Sequence, residues 1–553
     1  MDPISLVVIQ NKLTQVCNEM DIIVERAAFC PIVSEARDRA SGIYASDNGE
    51  VVAQGDTGLP LFVGSMQFAV QAAMRVFSDW QPGDVAIVND PYESGTHLMD
   101  LKIVAPVFDG ESLLCFLAQT AHWTDMGGMV PGGFAPEATE IFQEGLRIPP
   151  VRLVRAGAYQ DDMHRLIMSN VRFPEDREGD LSAQLGALNV GAARIGEMIE
   201  QWGRGSLFEA FDELRRRSER HMRSLILDVP DGTYTAMTLL DNDGITDVPL
   251  SLSLSLEIEG SDITFDFSGS SKEVQGPLNA SPVATASAVF LAMKHIFPEV
   301  PINGGCFRSL NILPAPGTFV NGAYPHAVSG AASEVTIRVV DVVRAALCAA
   351  LPGRVGADSY GTICNYTVSG MNPATGKGYI VFGFLGGGYG GSEGYDGLAN
   401  GCSSISIAKT SPIEVIEAEA PIRVLRYLLR DGSGGPGRYR GGLGVEIAIQ
   451  IAAGDASCTV LGDRGKFAPE GRFGGGQGLP TEVWWELAGE RMVPPLVSKC
   501  GGVQMNTGDV LVIRTPGGGG YGAPGERDRE LVKRDVLRGF VSVSGADHEY
   551  SAR

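Results

Sequence analysis

From Leu250 to Ile258 every second residue is aliphatic: Leu250, Leu252, Leu254, Leu256 and Ile258, with serine or glutamate between them. Beyond Glu259-Gly260-Ser261-Asp262 the alternation resumes at Ile263, Phe265 and Phe267. Strand side chains point alternately to opposite faces, so this stretch predicts an antiparallel hairpin with one buried face. Upstream the period is different. Ile9, Leu13, Val16, Met20 and Ile23 follow in steps of four and three, one stripe of a helix that Asp2-Pro3 opens as N-cap and first residue. Residues from about 161 to 222 read as further helices, broken by a turn at Phe173-Pro174-Glu175-Asp176, and two more helices are expected near 281–297 and 333–351. The change from period 3.6 to period 2 near Asp228 marks a boundary. A chain of 553 residues also exceeds one ordinary core. The expected class is α+β: a mixed chain of antiparallel β-sheets with flanking helices and a Gly-rich β C-terminal third, divided at 1–226, 227–430 and 431–553.

The first of these regions carries the chemistry. Asp47-Asn48-Gly49 turns one strand pair, Gly64-Ser65-Met66 opens a helix, and a strand at Val85 to Val88 leads to Asn89. Between Asn89 and Gly128, His97 and Asp100 lie three residues apart, and His122 and Asp125 repeat that spacing. Lys102 to Phe108 and Leu113 to Thr120 read as strands. Asp109-Gly110 is a dipeptide favoured in two-residue type I′ turns. With that turn, His97 faces His122 and Asp100 faces Gln119, and opposed Cβ atoms are roughly 4.5–5.5 Å apart. Two imidazoles and one carboxylate at such range suit a zinc, manganese or non-haem iron site, while a pair of solvated loop histidines is the plainer alternative. Asp38 joins the set if its turn folds toward the hairpin. After the hairpin a Gly- and Pro-rich segment reads as a long ordered loop, with Glu140, Glu144 and Arg147 expected in solvent.

Charge and cysteine usage narrow the partners. The formal net charge of −22 lacks the basic footprint of a nucleic-acid binder and opposes an anionic membrane surface. Nine scattered cysteines with no CxxC pair suit reduced thiols, and neither a signal-peptide pattern nor a membrane-length apolar run is present. The expected location is therefore cytoplasmic. Of 72 glycines, many fall in clusters at 384–397, 431–444, 471–478 and 515–522. None has the P-loop pattern or opens a helix after a strand, so no ATP is assigned to this chain. Tight turns between strands are the expected role, with a weaker anion site near Arg438, Arg440 and Arg464.

Several segments together resemble one family. They are ARDRASGIYASDNGEVVAQG (36–55), GSM (64–66), NDPYESGTHLMDLKIVAPVF (89–108), AHWTDMGG (121–128), PIEVIEAEAPIRV (412–424), DGSGGPGRYRGGLG (431–444) and TPGGGGYGAP (515–524). End to end the chain is similar to the B subunits of the hydantoinase B and oxoprolinase family. The resemblance implies a metal-binding B subunit of an ATP-dependent cyclic-amide hydrolase. Its partner would be a hydantoinase A-type ATPase subunit, in an A2B2 hetero-oligomer, that uses ATP and Mg2+ to phosphorylate the substrate carbonyl. A subunit of a ketone carboxylase using bicarbonate, or a non-catalytic assembly partner, are the competing roles. His97, Asp100 and His122 match the family's ligands for a divalent metal, Zn2+ or Mn2+, and Asp38 matches a further one. Asp125 and Asp90 are candidate catalytic groups, as proton acceptors or supports for a ligand histidine. The sequence departs from the family at Phe62, where a histidine is usual, and a phenyl ring can neither bind metal nor carry a proton.

Overall fold

The computed structural model describes residues 1–550. Helix α1 (Pro3–Ala27) starts where the Asp2 side chain accepts the Ile4 and Ser5 amides at 3.0 Å. It buries Leu6, Ile9, Leu13, Val16 and Met20, with Val24 rather than Ile23 completing the stripe. After the short α2 (Pro31–Ser34) come β1 (Arg39–Ala45) and β2 (Val51–Gln54). Helix α3 (Pro60–Val76) begins four residues earlier than expected, because Pro60 at its first position supplies a preset φ and needs no amide partner. Gly64-Ser65 lies inside it.

Strands β3 (Val85–Val88), β4 (Asp100–Asp109), β5 (Ser112–His122), β6 (Val151–Arg155) and β7 (Ala158–Tyr159) complete a seven-stranded sheet, ordered β2-β1-β5-β4-β3-β6-β7. Both faces of this sheet are buried. Along β5, Cys115 and Leu117 pack against α1 and α5, while Phe116 and Ala118 enter the core built with α3 and α7. Helices α4 (Asp161–Met168), α5 (Pro174–Trp202) and α6 (Arg204–Ile226) follow. Pro174 is the first residue of α5, so the expected turn at 173–176 is a helix start.

The hairpin register differs from the expected one. Gly110 and Glu111 form the two-residue loop, Asp109 pairs with Ser112, and a bulge between Val107 and Phe108 shifts the ladder again. Gly110 has φ +60° and Glu111 is not in the left-handed region, the pattern of a type II′ turn rather than the expected type I′. Asp100 therefore pairs with His122, not with Gln119.

The alternating stretch forms β9 (Leu250–Glu259), after β8 (Gly232–Leu240) and before β10 (Asp262–Asp266), with β11 (Leu310–Ile312) on the edge. Leu250, Leu252, Leu254, Leu256 and Ile258 are all buried. Helices α7 (Pro282–Ile296) and α8 (Thr336–Leu347) pack together; a π-helical turn at Ala331–Val335 leads into α8. The remaining strands are β12 (Asn365–Met371), β13 (Gly378–Gly383), β14 (Ile422–Leu429), β15 (Val445–Ile451), β16 (Ala456–Leu461), β17 (Glu482–Leu487), β18 (Glu490–Met492), β19 (Lys499–Met505) and β20 (Val510–Arg514). They make two further sheets, β13-β12-β16-β19 and β14-β15-β20-β17-β18, which share one core. Each of these sheets combines strands from both sides of position 431.

The glycine clusters are mostly not turns. Their segments run alongside one another and hydrogen-bond laterally: Gly518 N–H to Gly442 O at 3.0 Å, Gly442 N–H to Tyr389 O at 2.8 Å, and Gly435 N–H to Gly518 O at 2.8 Å. A Cβ on Gly442 would lie 1.9 Å from Leu398 O, and one on Gly518 2.0 Å from Tyr389 O. Glycine is needed there because backbone packs directly on backbone. The arginines among the glycines face protein partners rather than an open anion site. Arg464 pairs with Asp341 at 2.9 Å, Arg440 donates to Gly441 O at 2.6 Å, and Arg438 approaches Glu526 at 3.9 Å.

Candidate metal centre

His97 stands on the loop between β3 and β4, which Asn89 fastens from both sides. The Asn89 amide donates to Leu98 O at 2.8 Å and Leu146 O at 3.0 Å, and its oxygen accepts the Ile148 N–H at 2.6 Å. Asp100 is the first residue of β4 and His122 the last of β5, so strand pairing holds those two opposite each other. The His97 Nδ1 lies 3.0 Å from Asp100 Oδ2, the His122 Nδ1 lies 3.4 Å from Asp100 Oδ1, and the two ring centres are 5.1 Å apart. One ligand atom from each of His97, Asp100 and His122 falls within 4.8 Å of the others, and all three residues are buried. Asp38 sits just before β1, where its carbonyl oxygen accepts the His122 N–H at 3.1 Å.

Four polar atoms here lack a well-formed hydrogen bond: His122 Nε2 and Asp38 Oδ1, and also His97 Nδ1 and Asp100 Oδ1, which are held only by the ion-pair contacts of Asp100 with the two histidines. They belong to the four residues expected as ligands, and buried polar atoms are left unpaired only rarely. Two imidazoles and one carboxylate are an ordinary donor set for zinc or manganese, so His97, Asp100 and His122 fit a divalent cation, with Asp38 beside them in the cavity lining.

The electrostatics agree with this crowding. Burial pushes the Asp38 carboxyl up to about 7; Asp100 adds to the rise and His122 opposes it. Burial also works against ionising Asp100, but His97, His122 and the buried Lys102 outweigh it and hold that carboxyl well below the usual range. Thr96 Oγ1 donates to Asp100 Oδ2, and Lys102 Nζ donates to Asp100 O at 3.0 Å. An aromatic wall fixes the His122 ring: it stacks on Phe382 (5.3 Å, 20°), which stacks on Phe134 (5.3 Å, 7°).

These residues line one end of a cavity of about 340 Å3. Its remaining walls are mainly apolar, from Leu59, Leu61 and Phe62 at the start of α3 and from Phe382, Phe384 and Ile405. Phe62 thus occupies the cavity wall itself. The wall drawn from residues 332–410 had no signal in the sequence, since nothing local ties Phe382 or Tyr360 to a histidine some 250 positions away.

Asp125 and Asp90 do not line this cavity. Asp125 is fully buried under the loop that follows, where it pairs with Arg172 at 2.9 Å and accepts the N–H groups of Gly127, Gly132 and Arg172. Asp90 pairs with Arg147 at 2.9 Å and accepts the Tyr92 N–H at 3.0 Å. The expectation of solvent for Glu144 fails as well. Its carboxylate is fully buried and accepts the Val328 and Ser329 amides at 3.0 and 2.8 Å, because the long loop folds under residues 326–329 instead of over the surface. Glu140 is exposed and Arg147 half-buried.

Comparison with known proteins gives the family. A family model described as hydantoinase B/oxoprolinase matches residues 2–524. An uncharacterized protein of Methanocaldococcus jannaschii is 35% identical, over 100% of this chain and 96% of its own. The caprolactamase subunit beta of Pseudomonas jessenii is 32% identical, over 100% and 96% respectively. The crystal structure of an ATP-dependent caprolactamase from Pseudomonas jessenii superposes with a TM-score of 0.92 at 29% identity, covering 100% of this chain and 96% of that one. A match of that extent, over a chain whose motifs run from end to end, leaves one assignment: the protein belongs to the hydantoinase B/oxoprolinase family.

Proposed function

We propose that the chain is the metal-binding B subunit of an ATP-dependent cyclic-amide hydrolase, opening a hydantoin, lactam or 5-oxoproline-type ring. The observation that carries this reading is the convergence of His97, Asp100 and His122, with Asp38 in the same lining, in an apolar-walled cavity of a member of this family. A divalent cation, zinc or manganese, held there supplies Lewis acidity that makes water a competent nucleophile near neutral pH. His97 and His122 hold that cation through ring nitrogens, and Asp100 orients both rings while contributing an oxygen of its own. Asp38 closes the set from the β1 side. Phe134 and Phe382 keep the His122 ring from rotating and exclude bulk water from one flank. Phe62 does the same from α3 and offers the substrate a phenyl face.

Amide carbonyls are poor electrophiles, and phosphorylation of the oxygen activates the carbon. In this reading the ATP and Mg2+ are held by a partner, an ATPase A subunit in an A2B2 assembly; the close packing of backbone on backbone in the glycine clusters supports a structural role for them. The beta-subunit name of the Pseudomonas jessenii relative supports the presence of a second subunit. The nine free cysteines, seven of them buried, support a cytoplasmic setting; among the described residues no helix is long and apolar enough to cross a membrane.

The test is to purify the chain with its ATPase partner and supply ATP with hydantoin, a simple lactam, 5-oxoproline, or a ketone plus bicarbonate. Ring opening coupled to ADP release is the expected result. Carboxylation of the ketone without ring opening would replace the reading.

A further inference from the structure

Two polar side chains of the cavity lining, outside the metal centre, are buried with an unpaired polar atom. Asn365, the first residue of β12, is 2% exposed and its Nδ2 has no hydrogen-bond partner. Ser403 is 3% exposed and its Oγ has none either. Both residues line the same cavity as His97, Asp100 and His122. Native proteins leave few buried polar atoms unpaired, and two in the lining of one cavity call for a ligand that pairs them.

The backbone behind Asn365 is built to hold it in place. Cys364, directly before it, has a φ of +49°, which a residue with a Cβ adopts only where its surroundings impose it. The Thr362 hydroxyl accepts the Cys364 N–H at 3.1 Å, and Glu334 accepts the Ile363 N–H at 3.2 Å.

The charges around the cavity say what these groups face. Asp38 and Asp100 lie at the metal end, and among the described residues the only lysine or arginine in the lining is Lys409, which is exposed. A substrate carboxylate taken out of water here would meet Asp38 and Asp100, with only the exposed Lys409 to pair with, which is costly. An uncharged ring carrying a carbonyl or an N–H meets a carboxamide and a hydroxyl, which donate and accept without charge. Phe62 adds an apolar face where an imidazole would have offered polarity.

Resting on the hydrolase reading above, we infer that Asn365 and Ser403 are the specificity-determining residues, hydrogen-bonding a carbonyl or ring N–H of an uncharged cyclic amide and so disfavouring carboxylate-bearing rings such as 5-oxoproline. In this role each residue positions the ring against the metal end and takes no part in the bond changes.

The test uses the complex with the ATPase partner. The wild-type complex is expected to show a kcat/KM at least about tenfold higher for hydantoin or a simple lactam than for 5-oxoproline. Asn365→Ala and Ser403→Ala should each raise KM for the uncharged ring about tenfold, change kcat less, and leave metal content and melting temperature unchanged. Should Asn365→Ala fail to fold, Ser403→Ala, the smaller change, decides. Unchanged KM in the folded variants, or a wild-type preference for 5-oxoproline, overturns this inference while leaving the hydrolase intact. Absence of any ring opening by the wild-type complex overturns the hydrolase reading, and the inference with it.

Discussion

Asp100 and His122 are the terminal pair of the β4–β5 ladder, opposite each other with His122 Nδ1 3.4 Å from Asp100 Oδ1. A carboxylate and an imidazole are thus set face to face by main-chain hydrogen bonds, before any metal is considered. His97 completes the group from the preceding loop, which is held by Asn89. Preorganisation of this kind puts the ligands in place without a separate ordering cost at binding.

The first prediction concerns that cluster. Groups that merely support metal ligands are worth about 10–100-fold in affinity, so a ligand itself is worth at least as much. His97→Ala and His122→Ala proteins, purified and analysed for elements, should carry under about a tenth of the wild-type divalent metal per chain. Wild-type metal content in both variants would remove the site.

Asp125 is argued to be structural. It is fully buried, pairs with Arg172 at 2.9 Å and gathers three backbone N–H groups. Removing Asp125 leaves these N–H groups without their acceptor, at about 1–3 kcal/mol for each group left unsatisfied, while the partly exposed Arg172 turns to solvent. Asp125→Ala should therefore lower the melting temperature clearly, while folded enzyme keeps its kcat within a factor of about three, the residue being absent from the cavity lining. A hundredfold fall in kcat with an unchanged melting temperature would return Asp125 to the chemistry.

The parts that could be read from the sequence were those written in local spacing. The stripe of α1 and the alternation of β9 stand nearly as expected, because a period of 3.6 or 2 reports directly which face is buried. His97 and His122 do meet, although by a different register. The choice between Asp109-Gly110 and Gly110-Glu111 as the turn, and the bulge near Val107, rest on backbone angles that the residue letters do not specify. The glycine clusters mislead for a related reason: the same residue serves a positive φ and a close backbone approach. The cavity wall of Phe134, Phe382 and Phe384, and the buried Glu144, depend on contacts between distant segments and leave no local trace.

Glu144 gives a prediction in pH. Burial raises its carboxyl from 4.5 to about 7, partly offset by the Ser329 and Val328 donors. The fold therefore favours the protonated form. Its contribution to stability is full below pH 4.5, declines as the pH climbs, and is wholly lost above about 7; at about 1.4 kcal/mol per pH unit the loss is roughly 3 kcal/mol. Glu144→Gln cannot ionise. Melting temperatures of the two proteins compared between pH 4.5 and 7.5 should shift steadily in favour of the variant. Parallel curves across that range would show that Glu144 ionises in the fold without penalty.

The last prediction tests the glycine packing. A Cβ at Gly518 would sit 2.0 Å from Tyr389 O and 2.2 Å from Tyr389 C, and neither is the end of a flexible side chain. The segment could yield only by breaking the hydrogen bonds of Gly518 to Gly442 and of Gly435 to Gly518. Overpacking of a rigid core costs about 1–3 kcal/mol, and a clash with main chain on this scale belongs at or beyond the top of that range. Gly518→Ala should therefore give little soluble protein, or a melting temperature well below wild type. Gly353→Ala is the matched control, because a Cβ there meets no atom within 4 Å and its φ lies outside the left-handed region. That variant should stay within about 0.5 kcal/mol of wild type. If the two alanines prove equally tolerated, these glycines serve chain flexibility and not the direct packing of backbone on backbone.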